Sequence, residues 1–154
     1  MSGFSAGGHL AAVLAIRSLN YKFPVPIRGL VLRAPMLSDW RDLSATQSSA
    51  LKSLKENKDA PVINTEALRK MTEIYNAPER VRRYPEEFPL HLSVEGAKKL
   101  PPALIQVSQA DPLRDEGILF HQTLQEAGVK TRFFHYAVSP ITDSRAMPPS
   151  LNRA

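Results

Sequence analysis

The sequence predicts an α/β fold: a parallel sheet with flanking helices and a helical insertion. Three observations predict it. IRGLVLRAP (27–35) and ALIQVSQ (103–109) are short, β-branched, nearly continuous apolar runs, the pattern of strands buried on both faces of a parallel sheet. The second run, an amphipathic stretch over about 114–127 and a third run, VKTRFFHYA (129–137), form strand, helix and strand with short links, the unit that sets strands parallel. Finally, 154 residues with 43% hydrophobic and 23% charged side chains fit one globular domain with a buried core.

Each element has its own signal. From Ala6 to Leu19 the residues Leu10, Val13, Leu14 and Ile16 recur at helical intervals among strong helix formers. A helix therefore starts directly behind the glycine-flanked Ser5. The first apolar run follows the Pro24 and Pro26 loop and ends at Pro35. Residues 38–100 change character: they are polar, predict two helices (about 46–57 and 64–76) and include the Pro-rich RRYPEEFPLHLS. This segment reads as a cap-like insertion over the C-terminal edge of the sheet, where ligand sites of α/β proteins lie, with a separate helical subdomain as the other reading. Pro101-Pro102 and Asp111-Pro112 bound the second run, and Gly128 stops the last helix. The domain then spans 1–137, and 138–154 is a divergent tail.

Composition excludes several functions. No apolar run approaches the ~20 residues of a membrane-spanning helix. The net charge of +5 comes from scattered pairs such as Arg82-Arg83 and Lys98-Lys99 with carboxylates nearby, a solvated surface and not a nucleic-acid footprint. Without a cysteine there is no disulfide, thiolate nucleophile or sulfur-based zinc site.

One stretch carries chemistry. In GFSAGGHL (3–10), Gly3-Phe4-Ser5-Ala6-Gly7 fits G-x-S-x-G, the sharp strand-to-helix turn that holds a serine hydroxyl exposed on strained backbone. A side chain at Gly3 or Gly7 is expected to collide with neighbouring backbone. The helix directs unpaired N–H groups toward developing negative charge, and Ala6 supplies one of them to an oxyanion hole. The pattern alone also matches any flexible glycine-rich turn, and the helix right behind it favours the nucleophile.

GFSAGGHLAA resembles the nucleophile region of serine esterases of the α/β-hydrolase fold, in the hormone-sensitive-lipase-like branch. ADPLRDEGILFHQTLQEAGVKTRFFHY (110–136) is similar to the segment of that branch in which a strand delivers the catalytic acid and the next strand leads toward the histidine. The resemblance implies that Asp111 is the acid, although Asp-Pro alone reads as a turn or cap. Asp115 and Glu116 fall in the first turn of the next helix, where they complement its dipole. Trp40 stands where the family's chain enters its cap, either lining an acyl pocket or packing in cap core. The family's histidine segment, YxGxxHGF, would begin at Tyr136, and Ile141 stands where the histidine belongs. The four histidines read as structural: His9 packs a helix, His91 lies in the insertion, His121 packs on the sheet, and His135 sits inside a strand as the only substitute.

The similarity covers nearly all of 2–137 but corresponds to the C-terminal half of a family domain, with neither an HGGG-type loop nor a strand ahead of Ser5. The expectation is a truncated gene product or gene model, with three parallel strands and an exposed apolar sheet edge. The implied function is serine carboxylic-ester hydrolysis of small acyl esters through a Ser-Asp-His triad, needing no cofactor and no metal. The alternative is a non-catalytic ligand-binding or interaction module.

Overall fold

In the computed structural model, which describes residues 1–137, four strands lie side by side in chain order and all parallel. They are β1 (Ser2–Phe4), β2 (Leu30–Arg33), β3 (Ala103–Ser108) and β4 (Thr131–Tyr136). The strand ahead of Ser5 is therefore present, as a fourth strand of three residues. Its pairing with β2 is what makes it a strand: Gly3 lies opposite Leu32, and the N–H of Val31 donates to the Met1 carbonyl at 3.0 Å. An isolated Ser-Gly-Phe has no such preference, because strand stability here comes from the neighbour. The tail 138–154 and Ile141 lie outside the described residues.

Two long helices cover one face of the sheet. The first, α1 (Ala6–Asn20), turns Ala11, Ala12, Ala15 and Ile16 inward onto Leu30 and Leu32 of β2. Between β2 and β3 the insertion contributes the short helices α2 (Ala45–Ala50), α3 (Ser53–Glu56), α4 (Thr65–Tyr75) and α5 (Val94–Ala97). The second long helix, α6 (Arg114–Glu126), sets Phe120 and Leu124 against Ile105 and Val107 of β3. Gly128, at φ 75°, ends it as expected, a left-handed conformation that costs glycine little. β2 is shorter than its apolar run, and only Leu30 and Leu32 are buried, while Val31 and Arg33 on the other face are partly exposed. Burial on both faces belongs to β3 instead.

The insertion also departs from its expected helices. The single helix over 46–57 is broken at Leu51-Lys52, where Leu51 turns its side chain into the core. Ser44 and Gln47 form a reciprocal capping box that starts α2. Asn64 caps α4, and Asn76 ends it in a left-handed conformation. Side chains fasten the insertion to the sheet helices: Arg17 of α1 donates to the Glu86 carbonyl at 3.0 Å and to Glu87 at 3.1 Å.

Candidate active site

Ser5 sits between the last residue of β1 and the first of α1, at φ 53° and ψ −117°. That backbone conformation is rare for a residue with a Cβ and is held by its surroundings: the Ser5 N–H donates to the Arg33 carbonyl at 2.9 Å, and its carbonyl accepts from the His9 N–H at 3.0 Å. The turn is so tight that a Cβ on Gly3 would lie 2.0 Å from the Gly7 carbonyl oxygen. Gly7 itself faces open space, contrary to expectation, because the chain there has already entered the helix and points outward. The second crowded glycine is Gly8, whose missing Cβ would meet Pro35 at 3.0 Å. It lets α1 approach the end of β2 closely.

Ser5 and Ala6 open onto an apolar cavity of about 430 Å³. Its walls come from three places: Leu10 and His9 of α1, Met36 of the loop after β2, and Met71, Ile74, Tyr75 and Phe88 of the insertion. His9 is buried and its Nδ1 lies 3.0 Å from the Met36 carbonyl. Burial lowers its pKa, which keeps the imidazole neutral, with its ring against the edges of Phe88 and Tyr75. The Tyr75 hydroxyl donates to Glu87, and burial together with that carboxylate pushes its pKa up to about 12. Neither ring brings charge into the cavity at neutral pH.

Asp111 follows the C-terminal end of β3, so it shares the sheet edge reached by Ser5 at the end of β1. One strand separates β1 from β3, about 10 Å between their axes. The Asp111 Oδ1 accepts from the Leu113 N–H at 2.8 Å, and burial raises the carboxyl's pKa above its ordinary value. The loop around it is clamped from the insertion. Asn57 donates to the Gln109 carbonyl at 2.9 Å and the Asp111 carbonyl at 3.2 Å, and the Ser53 hydroxyl donates to the Pro112 carbonyl at 2.7 Å. Arg114 is buried, paired with Asp115 at 2.7 Å and with Glu56 at 2.8 Å.

Asp115 and Glu116 are thus more than dipole partners. Asp115 accepts from the Ser53 N–H at 2.7 Å. Glu116 is fully buried and accepts from the N–H groups of Leu37 and Ser38 and from the Trp40 indole at 2.6 Å. Trp40 therefore faces Glu116 and is not among the residues that line the Ser5 cavity. The sequence signal for these roles is a run of three charged residues, Arg114 to Glu116, next to the buried start of a helix. Its meaning depends on partners about 60 to 80 residues away.

The histidines are dispersed. His121 stacks on Phe133 and contacts Thr131 at 3.0 Å, His135 is exposed on β4, and His91 belongs to the Pro89–His91 turn. Among the described residues none of the four is hydrogen-bonded to Ser5 or Asp111 through its side chain.

Comparison with known proteins agrees with this architecture. A family model described as alpha/beta hydrolase fold matches residues 1–140. An AB hydrolase superfamily protein of Schizosaccharomyces pombe is 34% identical over 140 residues, 91% of this chain and 40% of that protein. The esterase LipI of Mycobacterium tuberculosis is 35% identical over 137 residues, 84% of this chain and 37% of its own length. The solved structure of brefeldin A esterase, a bacterial homologue of human hormone-sensitive lipase, superposes with a TM-score of 0.78 at 28% identity, over 88% of this chain and 37% of that one. This chain belongs to the α/β-hydrolase fold family, in its hormone-sensitive-lipase-like branch, and spans about two fifths of the length of these relatives.

Proposed function

We propose that the chain carries the nucleophile and acid of a serine carboxylic-ester hydrolase, with Ser5 as nucleophile and Asp111 as the carboxylate that orients the base. The observation that carries the reading is the Ser5 backbone, at φ 53° and ψ −117° between a strand and a helix, opening onto an apolar cavity. Strain of that kind, on the order of 1–3 kcal/mol, persists where the surrounding structure holds it and is a mark of a functional position.

In the proposed reaction the Ser5 Oγ attacks the ester carbonyl while an imidazole takes its proton. The Ala6 N–H, at the start of α1, stabilises the oxyanion. The imidazolium then protonates the leaving alkoxide, and water, activated by the same imidazole, releases the acid from the acyl-enzyme. The half-buried Asp111 carboxylate steadies the imidazolium, and pairing with that cation would lower a pKa that burial raises. The apolar walls contributed by Leu10, Met36 and Met71 suit a small acyl group. Trp40 enters this reading indirectly, through the loop that carries Met36.

Among the described residues no histidine side chain is hydrogen-bonded to Ser5 or Asp111. That favours a second reading, a ligand-binding module that keeps the elbow without turnover. Fluorophosphonate labelling and hydrolysis of a short-chain chromogenic ester, each compared with Ser5→Ala, separate the two. Labelling that disappears in Ser5→Ala supports the nucleophile. Folded protein that neither labels nor hydrolyses supports the binding module.

A further inference from the structure

We propose that Glu116 is a positioning residue whose carboxylate latches the loop after β2 to α6, through Leu37, Ser38 and Trp40, and so fixes the Met36 wall of the Ser5 cavity. Its link to a substrate pocket rests on the function proposed above, while the latch itself stands on geometry alone.

A carboxylate has room for several N–H donors when ionised, and here one oxygen accepts the Leu37 and Ser38 N–H groups while the other accepts the Trp40 indole. All three donors belong to one loop, so a single side chain at the base of α6 sets that loop's position. Met36, directly before Leu37, is the hinge between latch and site. Its side chain lines the cavity, its carbonyl meets His9 Nδ1 at 3.0 Å, and its N–H reaches the Ser5 carbonyl at 3.4 Å.

Protonation of Glu116 converts one acceptor oxygen into a donor that faces N–H groups, so it weakens the latch. Burial holds the carboxyl's pKa up to about 7, against the hydrogen bonds from Trp40, Leu37 and Ser38 that pull it down, which places the change near neutral pH. Charged groups on the packed elements are engaged elsewhere. On α6 itself Arg114 pairs with Asp115 and Glu56. On the loop Asp39 holds Arg41 and is approached by Arg82, and on α5 Glu95 pairs with Lys98. His91 on the adjoining turn has its pKa lowered by burial, and β4 carries Arg132 and His135, both exposed.

Trp40 is the chain's single tryptophan, so its fluorescence reads the latch without any need for catalysis. The test is a pH titration from 5 to 9 of Trp40 emission, together with the Met36 ε-methyl resonance in methyl-labelled protein. One transition near neutral pH, common to both probes and absent from Glu116→Gln, is expected. A Trp40 signal that is flat, or that titrates identically in Glu116→Gln, overturns the latch. A Trp40 transition without movement of the Met36 methyl overturns the coupling to the cavity. Should Glu116→Gln fail to fold, Trp40→Phe decides: losing one donor moves the Met36 midpoint to higher pH, and an unchanged midpoint overturns the proposal. Failure of Ser5 to label or hydrolyse would refute the function above and leave these readouts intact.

Discussion

The turn at Ser5 and the loop at Asp111 occupy the same edge of the sheet but are built by opposite means. Ser5 is placed by backbone, from the six residues Gly3 to Gly8 and the end of β2 that meets them, with one missing Cβ making room for the Gly7 carbonyl, another making room for Pro35, and the Arg33 carbonyl accepting the Ser5 N–H. Asp111 is placed by side chains reaching from the insertion: Ser53, Glu56 and Asn57 meet Pro112, Arg114, Gln109 and Asp111 itself. The difference teaches that the geometry of Ser5 is set by backbone packing of the turn against the end of β2, whereas the geometry of Asp111 is inherited from how the insertion docks. The insertion therefore holds the Asp111 loop as well as lining the Ser5 cavity.

The strongest way to break this contrast is Gly3→Ala. A Cβ 2.0 Å from a backbone oxygen has no flexible neighbour to displace, so the turn must open. A loss of about 4 kcal/mol or failure to fold is expected, read by urea denaturation. A loss under about 1 kcal/mol would show that the turn is not locally locked.

Next in size is Arg114→Ala, which strands the Asp115 carboxylate in a buried site and cuts the tie to Glu56. A cost of about 3 kcal/mol is expected from leaving one partner of a buried pair uncompensated. Hydrogen exchange should rise at the amides of Leu113 and Asp115 and stay unchanged at Ser5 and His9. Equal exchange at both loops would erase the distinction between them.

Smaller, and of opposite sign, is Ser5→Gly. Glycine tolerates positive φ, so removing the side chain should raise stability by about 1 kcal/mol while abolishing any labelling of the site. A destabilised Ser5→Gly would mean that the serine is not strained in the fold. Gly7→Ala, two residues further on, should change stability by only a few tenths of a kcal/mol and in the favourable direction, since a Cβ there meets nothing within 4 Å. Urea denaturation of each variant reads both effects.

The same division between local and distant causes decides which features are legible in the sequence. The α1 helix, the parallel order of β2, β3 and β4, and the stop at Gly128 follow from periodicity and from residues that disallow alternatives. β1 is not legible, because Ser-Gly-Phe has no apolar run and becomes a strand only on pairing with β2. The motif names Gly3 and Gly7, while the crowding falls on Gly3 and Gly8, since only packing against Pro35 singles out the latter. Asp115 and Glu116 read as helix-dipole charges because sequence shows the first turn of a helix but not Ser53, Leu37 or Trp40 arriving opposite it.

By itself, then, the sequence determined the α/β class, the elbow that carries Ser5 and the edge on which Asp111 emerges, because each rests on neighbours in the chain and on steric rules that hold anywhere. Only the tertiary structure decided that Glu116 grips the loop beside the cavity and that the insertion clamps the Asp111 loop. Those contacts join residues about 50 to 80 positions apart, and a buried carboxylate acquires its meaning from whichever donors packing brings to it.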